Sequence, residues 1–216
     1  MYLETMRFSM ALLALAIASV AQASYDLVFV ADDGTDSIHR FDGGTGTYLG
    51  SIGAGLLQDP SGVAIDRDTN TLLVTSNNGI FLFNLWNGTL MNAEFTFGNK
   101  ATRWAPGEFL FTQPSPANFL GGARTGISGW YAGANLPAAA QYTGIDVRGA
   151  GPGAQLILAN ATSNRLEVHS FTGFGGSTSL LETYNLPSGT FPVDVTSNQD
   201  SYMGVLSDGQ VFRGYY

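Results

Sequence analysis

Short apolar runs recur along the chain, and turn-forming residues separate them. The runs are Leu27 to Val30, Leu72 to Val74, Phe119 to Leu120, Leu156 to Ala159 and Tyr202 to Leu206. Gly, Asn, Asp or Ser residues bound each run, which is typical of β-strands. Shorter apolar segments precede four of the runs, at 62–65, 109–111, 144–147 and 193–195. The pattern predicts units of four short strands, with the preceding segments as the first strands and no helices of βαβ length after residue 23.

One seven-residue motif occurs three times. It consists of an aromatic residue, a small polar residue, three variable positions, a glycine and a hydroxyl residue. It begins at Phe41, Phe83 and Phe171, with spacings of about 42 and about 88 residues, the second being two steps of about 44. A period in the low forties is that of a repeated supersecondary unit. We interpret the three phenylalanines as the ends of the third strands of their units, where the rings can pack against a neighbouring unit.

The rest of the motif predicts a hairpin loop. Its glycines are Gly46, Gly88 and Gly176. They are expected to have a positive φ, which glycine adopts without strain. The polar residues after the phenylalanines are Asp42, Asn84 and Thr172. Their side chains are expected to accept or donate hydrogen bonds at the loop backbone.

Several of the predicted strands are apolar at every position, as in "LVFV", "IFLF" and "LILA". A strand with one wet face alternates apolar and polar residues, so a continuous run indicates cover on both faces. Four-stranded sheets stacked around an axis provide that cover. The sequence therefore predicts an all-β fold, a β-propeller of about five four-stranded units. The first unit begins with its second strand and the last ends after its third, so we expect an irregular five-bladed ring or a fragment of a longer ring.

The first two units resemble a known group of repeats. "VFVADDGTDSIHRFDGGTGTYLGSIG" (Val28 to Gly53) and "DPSGVAIDRDTNTLLVT" (Asp59 to Thr75) resemble NHL-type and related six-bladed propellers of exported bacterial proteins. In that family a proline-x-glycine leads into the innermost strand, and a D-x5-I-x2-F-D run forms strands two and three. The matching residues here are Pro60, Gly62, Asp32, Ile38, Phe41 and Asp42. The third unit, from Trp104 to Tyr142, departs from the pattern. The resemblance implies the fold but does not point to a particular activity, since lyases, lactonases, receptors and scaffolds share such repeats.

The N-terminus predicts export. Arg7 precedes an apolar stretch from Met10 to Val20, and Ala21-Gln22-Ala23 has the small-x-small form that signal peptidase accepts. We predict a signal peptide at 1–23, cleavage after Ala23, and a propeller domain at 24–216. The apolar stretch is too short to span a membrane. The mature chain is therefore expected to be secreted or periplasmic, without a membrane anchor.

Composition limits the partners. The chain has 216 residues, a formal charge of −8, no cysteine and Lys100 as its single lysine. An acidic chain with so few cations is not expected to bind nucleic acid. Neither a disulfide nor a structural zinc site with cysteine ligands is available to stabilise the fold, but a domain of this length buries enough surface to form a sizeable core.

Five residues are candidate binding residues. Asp146 and Asp194 lie on predicted first strands, and Asn77 and Asn160 follow predicted second strands, so their side chains are expected near the central mouth. Trp86 lies in a predicted turn, where an exposed aromatic ring could anchor a protein or stack on a sugar. Trp104 and Trp130 are interpreted as buried between units.

The favoured function is an exported, non-catalytic binding or scaffold module for a protein or glycan partner. The alternative is a divalent-metal-dependent hydrolase or lyase, by similarity to gluconolactonase-type propellers, whose Glu, Asn and Asp ligands gather at the central mouth. That alternative lacks a matching glutamate, and the matched positions in the second and third units are Ala64 and Leu110. We therefore assign no catalytic residue and no metal ligand.

Two other motifs are interpreted as structural. "DRDTN" (Asp66 to Asn70) imitates the start of a calcium loop, but Thr71 stands where glycine is needed and Asn77 where the bidentate glutamate belongs. It is interpreted as the turn between strands one and two, although this loop and the loop Asp32 to Asp36 could each bind calcium. His39 and His169 occupy nearly matching positions of the first and fourth units and are interpreted as packing or edge residues rather than a catalytic pair.

Overall fold

The computed structural model describes residues 26–94, 98–113, 119–126, 130–136, 140–151, 153–197 and 200–215. Throughout these residues the regular secondary structure consists of β-strands, and no helix occurs among them. The predicted signal peptide lies outside the described residues. In the part of the chain that is described there is no helix that could cross a membrane.

The described strands form five antiparallel sheets, in each of which strand order follows chain order. The first sheet contains β1 (Leu27–Asp32), β2 (Ser37–Asp42) and β3 (Tyr48–Ile52). The second contains β4 (Gly62–Asp66), β5 (Thr71–Ser76), β6 (Gly79–Asn84) and β7 (Leu90–Glu94). The third contains β8 (Ala101–Ala105), β9 (Glu108–Gln113), β10 (Phe119–Arg124) and β11 (Trp130–Asn135). The fourth contains β12 (Tyr142–Arg148), β13 (Gln155–Asn160), β14 (Arg165–Phe171) and β15 (Thr178–Asn185). The fifth contains β16 (Pro192–Ser197), β17 (Ser201–Leu206) and β18 (Val211–Tyr215).

The second to fifth sheets are arranged around an axis lined by their first strands, β4, β8, β12 and β16, and the first sheet, whose β1 is the second strand of its unit, packs beside the second. β4 contacts β8, β8 contacts β12, and β12 contacts β16, while β1 of the first sheet contacts β4. This is the radial arrangement that the sequence predicts, with three four-stranded sheets between two three-stranded ones. Among the described strands the first and fifth sheets are not neighbours, so the ring is open between them.

An apolar layer fills the space between each pair of neighbouring sheets. Leu72 of β5 packs toward the first sheet with Phe83 of β6, whereas Leu73, next in the chain, packs toward the third sheet with Phe109. Successive residues of a strand point to opposite faces, so a sheet covered on both sides needs apolar residues at consecutive positions. This confirms the interpretation of "IFLF" and "LILA", whose residues are buried on both faces.

The expectation of cover on both faces is wrong for the first sheet. In β1, Phe29 is buried at 8% exposure, but Val28 and Val30 on the other face are 47% and 45% exposed. The physical reason is that the first sheet packs only against the second, through Phe29 and Ile38. The sequence makes both faces of this strand apolar, but the tertiary structure decides whether a neighbouring sheet covers each of them.

The third unit also differs from the prediction. Phe109 to Phe111 was expected to be its first strand, yet it belongs to the second strand, β9. The first strand is β8, whose alternating small, polar and aromatic residues give a weaker apolar signal. The matched axial position is therefore Thr102, which pairs with Leu110, as Ala64 pairs with Leu73 in the second sheet.

The repeated hairpin is confirmed in two of its three copies. Each of the three phenylalanines lies at or next to the end of the third strand of its unit, as predicted. Gly46 and Gly88 both have a φ of 70°. The prediction for Gly176 is wrong, because Gly173 and Gly175 have the positive φ values in that loop. Six residues separate the phenylalanine from the next strand in all three copies, but β14 ends at Phe171 itself, whereas β2 and β6 continue for one more residue, and the left-handed positions differ accordingly.

The polar residues of the hairpin hold their loops as expected. Asp42 Oδ1 accepts hydrogen bonds from the backbone N–H groups of Gly44 and Thr45. Asn84 Oδ1 accepts from the N–H group of Trp86. Such side-chain bonds close the turn locally and need no tertiary partner, which is why the motif is readable in the sequence.

Candidate functional site

A cavity of about 550 Å³, which we call the mouth cavity, lies among the turns at one end of the first three sheets. It is lined by Ala31, Asp33, Asp59, Pro60, Ser61, Asn77, Gly98, Asn99 and Lys100. These residues come from the β1–β2 turn, the segment before β4, the β5–β6 turn and the segment before β8. Connections of these kinds lie at one end of their sheets, because antiparallel strands alternate in direction. Three sheets therefore contribute to one concave surface.

Hydrogen bonds between loops fix the shape of the mouth cavity. Asn77 Nδ2 donates to Asp59 Oδ2 at 2.9 Å, and the Asp59 N–H group donates to Asp36 Oδ1 at 2.8 Å. The carbonyl oxygen of Asn99 accepts hydrogen bonds from the hydroxyl groups of Ser61 and Thr75, both at 2.6 Å. The second and third sheets are thus tied together directly beneath the cavity. A wall held in this way loses little conformational entropy when a ligand binds.

The mouth cavity is predominantly acidic. Asp33 and Asp59 are both exposed and contribute two carboxylates, while Lys100 contributes the one ammonium group. That ammonium is engaged, because its Nζ atom lies 3.3 Å from Asp194 Oδ2. The Asp194 carboxylate, which lies outside the cavity, offsets the charge of Lys100. The carboxylates of Asp33 and Asp59 therefore give the cavity a net negative charge.

A second cavity of about 360 Å³, the axial cavity, lies between the first strands of the second to fifth sheets. Asp146 lies on its wall and joins three sheets. Its Oδ1 atom accepts a hydrogen bond from Thr102 Oγ1 at 2.8 Å, and its Oδ2 atom accepts one from the Ser197 N–H group at 2.5 Å. Asp146 therefore holds the neighbouring first strands in position. This is a structural role, in contrast to the ligand-binding role that the sequence suggested.

The structure brings together some of the predicted site residues. Asp146 and Asp194 both line the axial cavity, and Asn77 lines the mouth cavity. Lys100 connects the two cavities, because it lines the mouth and contacts Asp194. The sequence analysis did not identify Lys100 as a site residue, although its being the single lysine of the chain was a signal that could have been used.

The other two predicted site residues lie elsewhere. Trp86 is in the β6–β7 turn, at the opposite end of the second sheet from Asn77, and is 45% exposed. Its Nε1 atom donates to Asn70 Oδ1 at 2.7 Å. Asn160 is buried in the fourth sheet, where its Nδ2 atom donates to Glu167 Oε1. The five residues therefore do not form one site.

The buried interpretation of Trp104 is confirmed. It packs edge-to-face on Phe171 and Phe174, with ring centroids 5.3 Å and 5.0 Å away, so its ring fills the space between the third and fourth sheets. The side chain of Trp130 lies outside the described residues.

The interpretation of Asp66 to Asn70 as a turn is confirmed, since it connects β4 and β5. The Asp66 carboxylate is fully buried and accepts hydrogen bonds from Thr69 Oγ1 at 2.7 Å and the Gly107 N–H group at 2.5 Å. Arg103 Nε lies 2.8 Å from its other oxygen. Burial raises the pKa of Asp66, but these hydrogen bonds and the arginine hold it below its ordinary value.

A buried polar cluster in the fourth sheet escaped sequence reasoning. It centres on Glu167, which is 2% exposed and accepts hydrogen bonds from Tyr142, Asn160, Arg165 and His169. Burial raises the pKa of Glu167, but the four donors outweigh burial and lower it to about 2. The available signal was the sequence of β14, where Arg, Glu and His alternate with apolar residues in a strand that has neighbours on both sides. In the described residues, no group of three or more His, Asp or Glu side chains is placed to hold a metal ion.

Known structures share this architecture, although no protein-family model and no curated protein matches the chain. The β-propeller domain of Myceliophteria thermophila Cps50 (Swd1) superposes with a TM-score of 0.57 at 13% identity, over 83% of this chain and 62% of that one. A chain of the mitotic checkpoint complex gives a TM-score of 0.66 at 10% identity, over 88% and 60% of the two chains. A chain of a nidogen/laminin complex gives 0.60 at 16% identity, over 85% and 68%.

The fold is a β-propeller. At these identities the likeness concerns the fold alone. The present chain spans 62% and 60% of the lengths of the first two structures.

Proposed function

We propose that this propeller is a non-catalytic binding module that docks a basic side chain of a protein partner in the mouth cavity. The observation that carries the proposal is the concave, acidic wall to which three sheets contribute, with Asp33 and Asp59 at its surface. Carboxylates at a concave surface recognise Lys or Arg side chains by charge-assisted hydrogen bonds. Two of the propellers of similar fold come from complexes, the mitotic checkpoint complex and the nidogen/laminin complex.

Geometry favours a side chain over a large surface contact. The cavity volume of about 550 Å³ lies in the range of small-ligand pockets. The Asn77 to Asp59 hydrogen bond and the contacts of Asn99 form its wall before a ligand arrives. A partner would therefore insert one or two residues, while its remaining surface rests on the surrounding turns.

We further propose that the chain is an exported propeller of the NHL type and that it acts in the periplasm or outside the cell. The signal-peptide pattern at 6–23 and the Pro60-x-Gly62 lead into β4 support this proposal. The metal-dependent hydrolase or lyase stays an alternative, and a screen of lactone and ester substrates with added calcium or zinc tests it directly.

Binding of short peptides tests the docking proposal. The probes are eight-residue peptides with one central arginine and the same peptides with glutamine at that position, measured by fluorescence anisotropy at low and high salt. We expect arginine peptides to bind roughly tenfold more tightly at low salt, and the difference to shrink as salt is added.

Matched variants locate the binding. Asp33→Asn should remove most of the preference for arginine, because it neutralises one mouth carboxylate. Asp26→Asn is the control, since Asp26 precedes the same strand at its opposite end and makes only an exposed pair with Arg67. Equal loss of binding in both variants, or equal binding of arginine and glutamine peptides by the native protein, would contradict the proposal.

A further inference from the structure

In the second to fifth sheets the strand nearest the axis pairs with the second strand of its unit. β4 pairs with β5, β8 with β9, β12 with β13 and β16 with β17, all antiparallel. β1 corresponds to a second strand, and among the described strands it pairs with β2 alone. The backbone edge of Leu27–Asp32 that faces away from β2 is therefore unpaired within the described part of the chain. We call it the inner edge of β1.

The first sheet packs on the second as the other sheets pack on their neighbours. β1 contacts β4 of the second sheet, as β5 contacts β8 and β9 contacts β12 further round the ring. Phe29 and Ile38 lie in one apolar layer with Leu72 and Phe83. The first sheet therefore keeps the place of a complete sheet, and the inner edge of β1 faces the axis.

The mouth cavity reaches the end of β1. Ala31 near the end of this strand and Asp33 just after it both line the cavity. The segments that lead into β4 and β8 line the same cavity, through residues 60–61 and 99–100. The chain thus enters these two first strands through the mouth. A strand added antiparallel to β1, as β4 is to β5, would also begin there, because β1 runs toward the mouth.

Lys100 shows where a basic side chain at such an entry lies. It directly precedes β8, lines the mouth cavity and places its Nζ atom 3.3 Å from an oxygen of Asp194. At the entry to the first sheet the exposed carboxylates are those of Asp33 and Asp59. A Lys or Arg side chain directly before an added strand would meet them and form charge-assisted hydrogen bonds. An unpaired strand edge is in turn a template for an extended segment of another chain.

On the basis of the proposed docking of a basic side chain in the mouth, we propose that the partner segment binds as an added β-strand on the inner edge of β1. Its basic residue lies in the mouth cavity. The residues that follow, five as in β4 and β8, run antiparallel to β1 and exchange backbone hydrogen bonds with it. The segment is therefore extended and free of proline over these five positions, with small and β-branched residues such as those of "GVAI" in β4.

Methylation of a peptide backbone tests strand addition. The parent probe has an arginine followed by Gly-Val-Ala-Ile-Thr, which is the β4 sequence with threonine in place of its buried aspartate. One variant carries N-methyl groups on its Val and Ile, and the other carries them on its Ala and Thr. Successive N–H groups of a strand point to opposite sides, so only one of these two sets faces β1.

We expect the two methylated peptides to differ in fluorescence anisotropy titrations of the native protein. One should bind roughly tenfold more weakly than the parent, because it loses two backbone hydrogen bonds. The other should bind about as tightly as the parent, since its methyl groups point away from β1. Each methylated peptide is thus the matched control for the other.

The same probe separates strand addition from the proposed function. Replacing its arginine by glutamine tests charge recognition, whereas methylation tests the strand. If glutamine weakens binding but both methylated peptides bind as tightly as the parent, the docking proposal stands and strand addition is wrong. If one methylated peptide loses binding while the glutamine peptide binds like the parent, strand addition stands and the proposed function is wrong. Strand addition is also overturned if both methylated peptides lose binding, or if the parent does not bind because residues of this chain already pair with β1.

Amide hydrogen exchange locates the pairing on the protein. Saturating parent peptide should slow exchange by roughly tenfold at alternate residues of Leu27–Asp32, those whose N–H groups point away from β2. β18 is the matched control, because it is also an edge strand among the described strands and contributes no residue to the mouth cavity. Equal protection of β18, or unchanged exchange throughout β1, would contradict the proposal.

Discussion

The Nζ atom of Lys100 lies 3.3 Å from Oδ2 of Asp194, although 94 positions separate the two residues in the chain. Lys100 directly precedes the first strand of the third sheet, and Asp194 lies on the first strand of the fifth. The fourth sheet stands between these two, so the pair connects sheets that are not neighbours in the ring. It also links the wall of the mouth cavity to that of the axial cavity.

Replacing Lys100 should change electrostatics more than stability. The side chain of Asp194 is 48% exposed, and ion pairs open to solvent contribute roughly 0–1 kcal/mol. We expect Lys100→Gln to lower the free energy of unfolding by less than about 1 kcal/mol, measured by urea denaturation, and to strengthen binding of arginine peptides at the mouth. A double-mutant cycle with Asp194→Asn gives the pair energy, and a coupling well above 1 kcal/mol would show that the pair is shielded from solvent.

Asp66 and Asp42 offer a comparison of one local motif in two environments. Both accept backbone hydrogen bonds in turns, but Asp66 is fully buried beside Arg103 and Asp42 is in contact with solvent. Asp66→Asn should cost roughly 1–3 kcal/mol, because it aims an amide donor at other buried donors and removes one of the two carboxylates that pair with the partly exposed Arg103. Asp42→Asn should cost distinctly less. Similar losses in urea denaturation would mean that burial does not set the difference.

Glu167 should give the protein a measurable pH dependence. Its pKa falls from an ordinary 4.5 to about 2 in the folded protein. A lowered folded-state pKa contributes stability that is complete above the unfolded value and is lost as pH falls through the folded value. We expect the difference in unfolding free energy between the native protein and Glu167→Gln to be constant from pH 7 to 6 and to narrow between about pH 5 and pH 2.

The comparison with Glu167→Gln cancels the contributions of Asp32, Asp42 and Asp66, whose pKa values are also lowered. Denaturation by urea at several pH values supplies the measurement. A difference that stays the same down to pH 2 would indicate that the carboxylate is not held ionised in the folded state.

Core and uncovered positions should respond differently to truncation. Leu158 of β13 is fully buried between the third and fourth sheets, whereas Val30 of β1 is 45% exposed on the free face of the first sheet. Leu158→Ala should cost about 2–5 kcal/mol, and Val30→Ala less than about 1 kcal/mol. Thermal or urea unfolding measures both. A large loss for Val30→Ala would reveal that this face is covered in solution.

Export is tested at the N-terminus. On expression in a bacterium with a secretory pathway, the mature protein should begin at Ser24, as determined by intact mass and N-terminal sequencing. Replacing Ala21 and Ala23 by leucine should block processing, because signal peptidase requires small residues there. Recovery of native protein that retains Met1 or Met6 would contradict the predicted cleavage.

The strand pattern and the hairpin loops were predictable because they depend on neighbours in the chain. The short apolar runs, the turn residues and the positive φ of Gly46 and Gly88 are local properties. The failures have tertiary causes. Val28 and Val30 are as apolar as residues of a covered strand, and only the position of the first sheet at an open end exposes them.

The site shows the same division. The sequence by itself determined that Asp146, Asp194 and Asn77 lie on or after strands near the axis, since repeat period and strand order fix that placement. Only the tertiary structure decided that Lys100 forms an ion pair with Asp194 and that Asn160 donates a hydrogen bond to Glu167 instead of lining the mouth cavity. It also decided that His169 Nδ1 has no hydrogen-bond donor beside it among the described residues. Contacts between sheets bring together residues many positions apart, and hydrogen-bond partners at such separations are set by the angle and spacing of the sheets, which no local pattern encodes.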